Sequence, residues 1–468
     1  MTEKELLTKV DSADCAEMFS ELYGANEIET ARQRYKKLVT EMFKNGQDGF
    51  PETDINRTEK SLRVFSAPGR TELAGNHTDH NRGKVLAASI QLDNAAIVQA
   101  RNDNTVFFRS TGYPDVKIKL QHSTGRQHST GRPDSAGEPD FQPKPEEAGA
   151  TESLVRGIAA ELSRRHININ GFSANAESTV LPGSGLSSSA AVEALIGFIF
   201  NSLYNEGKCS ALEIAQIGQI AENTYFGKPC GLMDQIACAT GGAVSIDFID
   251  AARPKVKQIN FDLDAAGFSL CIVNTGGSHA NLTGDYASIP AEMKKVAAFF
   301  GKSVLGEIKK ETVMSAAAEV RKTFGDRALL RSLHFFDENE RVDAMAGALA
   351  EIEDTVTSAA KQQALTFYLD NVNESGDSSW KLLQNVYSPN NPETQGISAA
   401  LALTKDFFRK QKIYGACRVH GGGFAGAIQA YVPVDAINTY RANIEAVFGN
   451  GSVTVLRIRS KGVTELLF

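Results

Sequence analysis

The chain has 468 residues, with 49 Lys+Arg against 56 Asp+Glu, a net charge of −7 and a pI near 5.7. That acidic balance disfavours nucleic acid as a partner, and 42% hydrophobic with 22% charged residues excludes disorder as the main state. The opening MTEKELLTKVDSAD lacks the basic-then-apolar order of a signal peptide, and no run approaches the ~20 apolar residues that span a bilayer; the expectation is a cytoplasmic protein of two or three domains with no membrane partner. Six cysteines (Cys15, Cys209, Cys230, Cys238, Cys271, Cys417) are scattered without a C-x-x-C pair and read as small buried hydrophobes.

Residues 1 to about 60 carry helical spacing (Ala16, Phe19, Leu22, Tyr23; Tyr35, Leu38, Val39, Met42) and then the turn-rich NGQDGFPETD, which together predict a helical extension packed on the main body. SLRVFSA, NAAIVQA and NTVFFRS read as strands. Residues 121–150 hold the tandem QHSTGRQHSTGR and a Gly/Ser/Pro-rich tail too poor in apolar residues to order itself, a mobile insertion in which His122 and His128 recur without an assigned role. Beyond Thr151, SLVRGIAAELSRRH and AAVEALIGFIFNSLY read as helices, GGAVSIDF and FSLCIVNT as strands. The second half is helix-rich to about residue 410 and strand-like in GACRVH, AIQAYV and SVTVLRI. The mixture indicates an α+β or α/β enzyme with a domain change near residues 250–270. Trp380, the only Trp, is expected to serve packing.

Four segments carry candidate chemistry. In LPGSGLSSSAAVEALIGFIF, the run Gly183, Ser184, Gly185, Leu186, Ser187, Ser188, Ser189 leads into an apolar-periodic helix, so glycine freedom and unpaired helix-start amides offer a phosphate cradle; the alternative is a serine N-cap on a core helix. No Walker A loop exists, since the one GKS, at Gly301, Lys302 and Ser303, has Val296 where the first glycine belongs. In SAPGRTELAGNHTDHNRGKVL, Arg70, Glu72, Asn76, His77, Asp79, His80 and Arg82 crowd a Gly-punctuated turn between strands, which suits either a polyol pocket or a solvated turn with an ion pair. A metal set of His77, Asp79 and His80 is the weaker reading, because neighbours on a turn point different ways.

AENTYFGKPCGLMDQIACATGGAVSIDF puts Glu222 on a helix and Asp234 after a glycine turn. Beside Arg70, Asp234 would stay ionised and accept a hydroxyl proton, as phosphoryl transfer requires; otherwise it is a helix cap. RVHGGGFAGAIQAYV contains G-x-G-x-x-G at Gly421, Gly423 and Gly426, but AIQAYV alternates like a strand and Asp435 comes too early for a dinucleotide fold. The glycines mark a tight loop at an active-site floor, or merely a further strand.

In order, APGRTELAGNHTDHNRG, PGSGLSSSAA, CGLMDQ and VHGGGFAG resemble the motifs of the GHMP small-molecule kinases, and the first resembles the galactokinase signature. FSELYG, GDYASIPAEM at 284–293, SLHFFDENERV at 332–342 and ESGDSS at 374–379 extend the likeness to the C-terminus. The resemblance implies an α+β, two-domain fold: a ribosomal protein S5-like N-terminal domain over 61–255, a ferredoxin-like C-terminal domain over 256–468, and a cleft between them. It also implies ATP and Mg²⁺, with transfer of the γ-phosphoryl group to the anomeric hydroxyl of galactose. Arg70 and Asp234 are then the catalytic pair. Asn76, His77, Asp79, Gly231 and Tyr286 match sugar-contacting positions, residues 183–189 line the phosphates, and Ser189 with Glu222 would hold Mg²⁺. Whether Asp234 abstracts the proton or only stabilises the transition state stays open at this point.

Two departures fall in the sugar motif: galactokinases usually have Glu where this chain has Asn76 and Tyr where it has His80. Plant galacturonate kinases share both features, so a uronic-acid kinase is the second reading, and a non-catalytic sugar and ATP sensor the third. A kinase for N-acetylgalactosamine or arabinose is not separated from these by sequence. The SSSAA run with Arg70 and Asp234 intact argues against the sensor. No Trp between residues 104 and 150 marks an adenine pocket.

Overall fold

The computed structural model describes residues 1–44, 62–120, 141–180, 185–277, 282–355 and 357–467. Three helices come first, α1 (Glu3–Val10), α2 (Ala13–Tyr23) and α3 (Ile28–Met42). Thr2 and Glu5 form a reciprocal capping box on α1, and Ser12 caps α2, so polar residues set where these helices begin. A long hairpin follows, β1 (Leu62–Ala74) with β2 (Lys84–Ala100), then β3 (Thr105–Ser110), β4 (Val116–Lys119), α4 (Thr151–Arg164), β5 (Phe172–Ser178) and α5 (Ser188–Tyr204). Next come α6 (Ala211–Ile220), a π-helical turn (Ala221–Phe226), α7 (Met233–Thr240), β6 (Ala243–Asp247) and β7 (Lys255–Ile259).

The remaining elements are β8 (Phe268–Asn274), α8 (Thr283–Phe299), α9 (Lys310–Ser315), α10 (Ala317–Phe324), α11 (Asp326–Asp354) and α12 (Ser358–Ser378). They are followed by α13 (Gly396–Gln411), β9 (Ala416–His420), β10 (Ala427–Pro433), α14 (Ile437–Phe448), β11 (Val453–Leu456) and β12 (Thr464–Leu466).

Two sheets organise the chain. The larger has the order β12-β1-β2-β5-β3-β4, with β6 pairing the far end of β2 and β7 pairing β6; the smaller has the order β11-β8-β10-β9. Alternation along β1 divides the larger sheet's faces: Phe65 and Ala67 point into a core built with α4 to α7, whereas Leu62 and Val64 meet α1 to α3 on the opposite face. In the smaller sheet, Leu270, Ile272 and Tyr431 face Leu73, Leu86 and the helices α11 and α12, while Cys271, Val273 and Ile428 face α13 and α14.

The change of sheet falls between Ile259 and Phe268, because β7 pairs β6; β12 then returns the C-terminus to β1 of the first sheet. Several sequence expectations need correction. Arg70 and Glu72 lie within β1, not on the turn that follows it. Cys15, Cys238, Cys271 and Cys417 are buried as expected, but Cys209 and Cys230 are only partly so. Trp380 is 39% exposed, with the rest of its surface covered by the protein. NGQDGFPETD (residues 45–54) lies outside the described residues, as do residues 121–140 of the expected insertion with His122 and His128; of the remainder, Phe141 is buried with its carbonyl accepting from Tyr225 Oη at 2.8 Å, whereas residues 142–146 are exposed. Among the described residues no helix is long and apolar enough to cross a membrane.

Candidate active site

The site forms where the smaller sheet crosses the end of the β1–β2 hairpin. Arg418 of β9 is fully buried and donates to the Leu73 carbonyl at 2.6 Å and to the Glu72 carboxylate at 2.7 Å; Gln429 of β10 donates to the Glu72 carbonyl at 2.7 Å. These bonds hold the loop between β9 and β10 over residues 75–77.

On one side lies the ion pair. Arg70 donates from Nε to Asp234 Oδ1 at 2.7 Å and from Nη2 to Oδ2 at 2.6 Å, a two-pronged clamp at the start of α7. Burial opposes the Arg70 charge, but Asp234 more than offsets it and raises the guanidinium above its ordinary range. Arg70 Nη1 also donates to the Gly185 carbonyl, and Ser187 Oγ donates to Asp234. Ser187 has φ of 58°, a left-handed conformation uncommon outside glycine, and no described side chain caps α5. The alternative reading of a serine N-cap is therefore not supported, and the first amides of α5 are left to serve an anion. Gly185, Leu186, Ser187, Ser188 and Ser189 line a cavity of about 770 Å³ together with Arg70 and Asp234; Gly183 and Ser184 lie outside the described residues.

Ser189 Oγ donates to Glu222 Oε1 at 3.1 Å, so the structure brings the two expected Mg²⁺ ligands together. Glu222 sits on the π-helical turn, and Gly157 of α4 permits the close approach that fixes it: a Cβ there would lie 2.8 Å from the Ala221 Cβ and from the Tyr225 ring. Two hard oxygen donors with a single buried carboxylate suit Mg²⁺ shared with nucleotide phosphates and water. Three residues here were not singled out from the sequence. Gln235 Nε2 donates to Glu222 Oε2 and to Glu193 Oε2, both at 3.0 Å. Burial, and then the Glu222 charge, push the Glu193 carboxyl well above the usual carboxylate range. Lys228 Nζ donates to Glu222 Oε1 at 3.0 Å. The i, i+4 spacing of Ser189 and Glu193 and the adjacency of Gln235 to Asp234 were the available signals.

On the other side lies a neutral cluster around the β9–β10 loop. Asn76 Nδ2 donates to the Gly421 carbonyl at 2.6 Å and to Glu72 at 3.1 Å, and Asn76 Oδ1 accepts from Asn385 Nδ2 at 2.7 Å. Both ends of the Asn76 amide thus have protein partners. His77 Nε2 bonds the Gly422 carbonyl at 2.9 Å, and burial lowers its pKa to about 4, leaving it neutral. Tyr286 Oη donates to the Gly423 carbonyl at 2.9 Å, and its ring lies 2.5 Å from where a Cβ on Gly422 would be. Asp79 and Gly231 meet separately: a Cβ at Gly231 would lie 2.6 Å from Asp79 Oδ2. His80 is exposed, so His77, Asp79 and His80 do not converge on a metal, and no group of three or more such ligands does among the described residues.

The loop glycines are followed by β10, a strand, as the rejection of a dinucleotide fold requires. His420, also not anticipated, joins the two sides. Its Nε2 donates to the Gly185 carbonyl at 3.3 Å, and burial, then the Arg70 charge, lowers its pKa to about 3. Its place immediately before the glycines was the only sequence signal.

Residues 153–242 match the family described as GHMP kinases N terminal domain, and residues 53–100 match the galactokinase galactose-binding signature. A galactokinase from Streptomyces coelicolor is 28% identical over 395 residues, 84% of this chain and 91% of the relative; one from Glaesserella parasuis is 28% identical over 389 residues, 81% and 88%. Among solved structures, galactokinase of Lactococcus lactis complexed with galactose aligns with a TM-score of 0.67 at 22% identity, covering 97% of this chain and 99% of that one. Mevalonate kinase of Methanococcus jannaschii aligns at 0.52 and 14%, covering 86% and 99%. With the α+β architecture and the ordered motifs, these matches establish the family: the chain belongs to the GHMP kinase superfamily, among the galactokinases.

Proposed function

We infer that the chain transfers the γ-phosphoryl group of ATP to the anomeric hydroxyl of galactose. The observation that carries this reading is the Arg70–Asp234 clamp, which lines the serine-bearing cavity and shares the Gly185 carbonyl with His420 at the head of the glycine loop. Asp234, its charge balanced by Arg70, accepts the hydroxyl proton or orients that hydroxyl, and general-base assistance of this kind contributes about 10²–10⁴ in rate. Arg70 offsets charge on the transferring phosphoryl group. Gly183, Ser184, Gly185, Leu186, Ser187, Ser188 and Ser189 receive the phosphates, with the uncapped start of α5 aimed at them.

Ser189 and Glu222 hold Mg²⁺, which when bound neutralises charge on the phosphates. The far end of the cavity, with Phe108, Tyr113, Pro114, Val116, Leu154 and Phe226, offers the apolar walls a purine needs where no Trp is available. Asp79, Gly231 and the loop cluster form the sugar side, with Asn76 acting there through Asn385 and Gly421 rather than as a free hydroxyl partner. We place the catalytic domains on the two sheets, with 1–60 as a helical extension, and the protein in the cytoplasm.

The test is ADP release with ATP, Mg²⁺ and, separately, galactose, galacturonate, N-acetylgalactosamine and arabinose, with the phosphorylated carbon identified by NMR. Turnover with galactose at C1 is expected. Preference for galacturonate would transfer the reading to the uronic acid, and sugar binding without turnover would make the chain a sensor.

A further inference from the structure

Of the described residues lining the 770 Å³ cavity, Arg70 and Lys228 are the only cations. Arg70 is committed, with its donors on both Asp234 oxygens and the Gly185 carbonyl. Lys228 is differently placed. Gly227, at φ +83°, ends the π-helical turn and reverses the chain, so that the Lys228 amide donates to the Glu222 carbonyl at 3.1 Å and its stem lies along the cavity wall. Its ammonium takes Glu222 Oε1, the same oxygen that accepts from Ser189.

The two partners of that ion pair differ in freedom. The Glu222 side chain is 2% exposed and pinned through its second oxygen by Gln235, whereas the Lys228 side chain is 61% exposed. A buried carboxylate needs a counter-charge, and the ammonium supplies it. A metal ion held by Ser189 and Glu222 would supply it instead, which would free a flexible stem carrying a strongly hydrated point charge next to phosphates that Arg70 alone cannot neutralise.

We propose that Lys228 is the second cation of the phosphate site, a counter-charge for Glu222 that turns to the nucleotide phosphates when the metal–nucleotide complex binds. The proposal rests on the kinase reading above and adds a phosphate-binding residue to it. Lys228 is a positioning and charge-neutralising group in this role, not the proton acceptor.

The experiment compares the unaltered full chain with Lys228→Met and Lys228→Arg by titration calorimetry, using a non-hydrolysable ATP analogue with Mg²⁺ and, as a second ligand, adenosine. Loss of one charge-assisted contact predicts about tenfold to hundredfold weaker binding of the analogue to Lys228→Met, with recovery in Lys228→Arg and adenosine affinity held within about twofold. The difference should shrink at high salt. Equal affinity of the unaltered chain and Lys228→Met for the analogue would overturn the proposal and leave the kinase reading standing. Parallel losses for analogue and adenosine would overturn it too, by making Lys228 a structural support of the pocket. Failure of the unaltered chain to bind any nucleotide would sink both readings.

Discussion

The two halves of the cleft solve opposite problems. The proposed phosphate side is ionic, with the Arg70–Asp234 and Lys228–Glu222 pairs beside an open cavity, and Asp234 keeps 31% of its side chain exposed. The proposed sugar side is held mainly by uncharged groups: Asn76, His77, Asn385 and Tyr286 bond one another or carbonyls of the β9–β10 loop, while Asn385 Oδ1 has no partner among the described residues. Charge that must act on a ligand is kept near solvent, where it can be exchanged. Shape that must select a ligand is built from hydrogen bonds satisfied before the ligand arrives, because an unpaired buried polar group is costly.

The comparison breaks most visibly at the ion pair. Asp234→Asn and Arg70→Ala should each lower kcat by about a hundredfold or more, with far-UV circular dichroism unchanged, since on the proposed assignment one loses the carboxylate that meets the hydroxyl and the other its charge partner. Normal turnover in either would remove the catalytic assignment. On the sugar side the expected effect is smaller and falls on stability and KM. Gly423 has φ +79°, and a Cβ there would overlap the Asn385 carbonyl oxygen. Gly423→Ala therefore incurs about 1–2 kcal/mol of left-handed strain before the clash is counted, and a lower urea midpoint with a raised sugar KM should follow. An unshifted midpoint would mean that the loop is not packed as described.

The smallest effect concerns the neutral histidines. His77 and His420, lowered to about 4 and about 3, stay unprotonated in the fold, whereas an unfolded histidine takes a proton near pH 6.5. The unfolded state then binds more protons below pH ~6.5, so stability is complete above that value and declines as pH falls toward 4. Urea midpoints across that range should slope downward, and His420→Asn should reduce the slope. A flat profile in the unaltered chain would contradict the burial of both rings.

Legibility of the site followed sequence distance. Residues 185–189 form one continuous run ahead of an apolar-periodic helix, so the cradle was readable in place. Arg70 and Asp234 stand 164 positions apart, yet each lies in a recognisable motif, and resemblance supplied the pairing that spacing does not. His420, Glu193, Gln235 and Lys228 were not singled out, because nothing local separates a histidine before glycines or a glutamate inside a helix from ordinary residues. Resemblance assigned Asn76 a sugar-contacting position. Of its protein partners, Glu72 is four residues away, whereas Asn385 and Gly421 come from 309 and 345 positions away and could not be read locally.

By itself the sequence determined the mixture of helices and strands, the absence of a Walker A loop or a dinucleotide fold, and the ordered motifs that identify the superfamily; periodicity, turn chemistry and glycine spacing are local and survive without a fold. Only the tertiary structure decided that β12 closes the first sheet, that the sugar loop is saturated by the glycine turn, and that one carboxylate oxygen of Glu222 is shared by Ser189 and Lys228. Those outcomes depend on which distant polar groups meet once water is excluded, and no local pattern encodes that meeting.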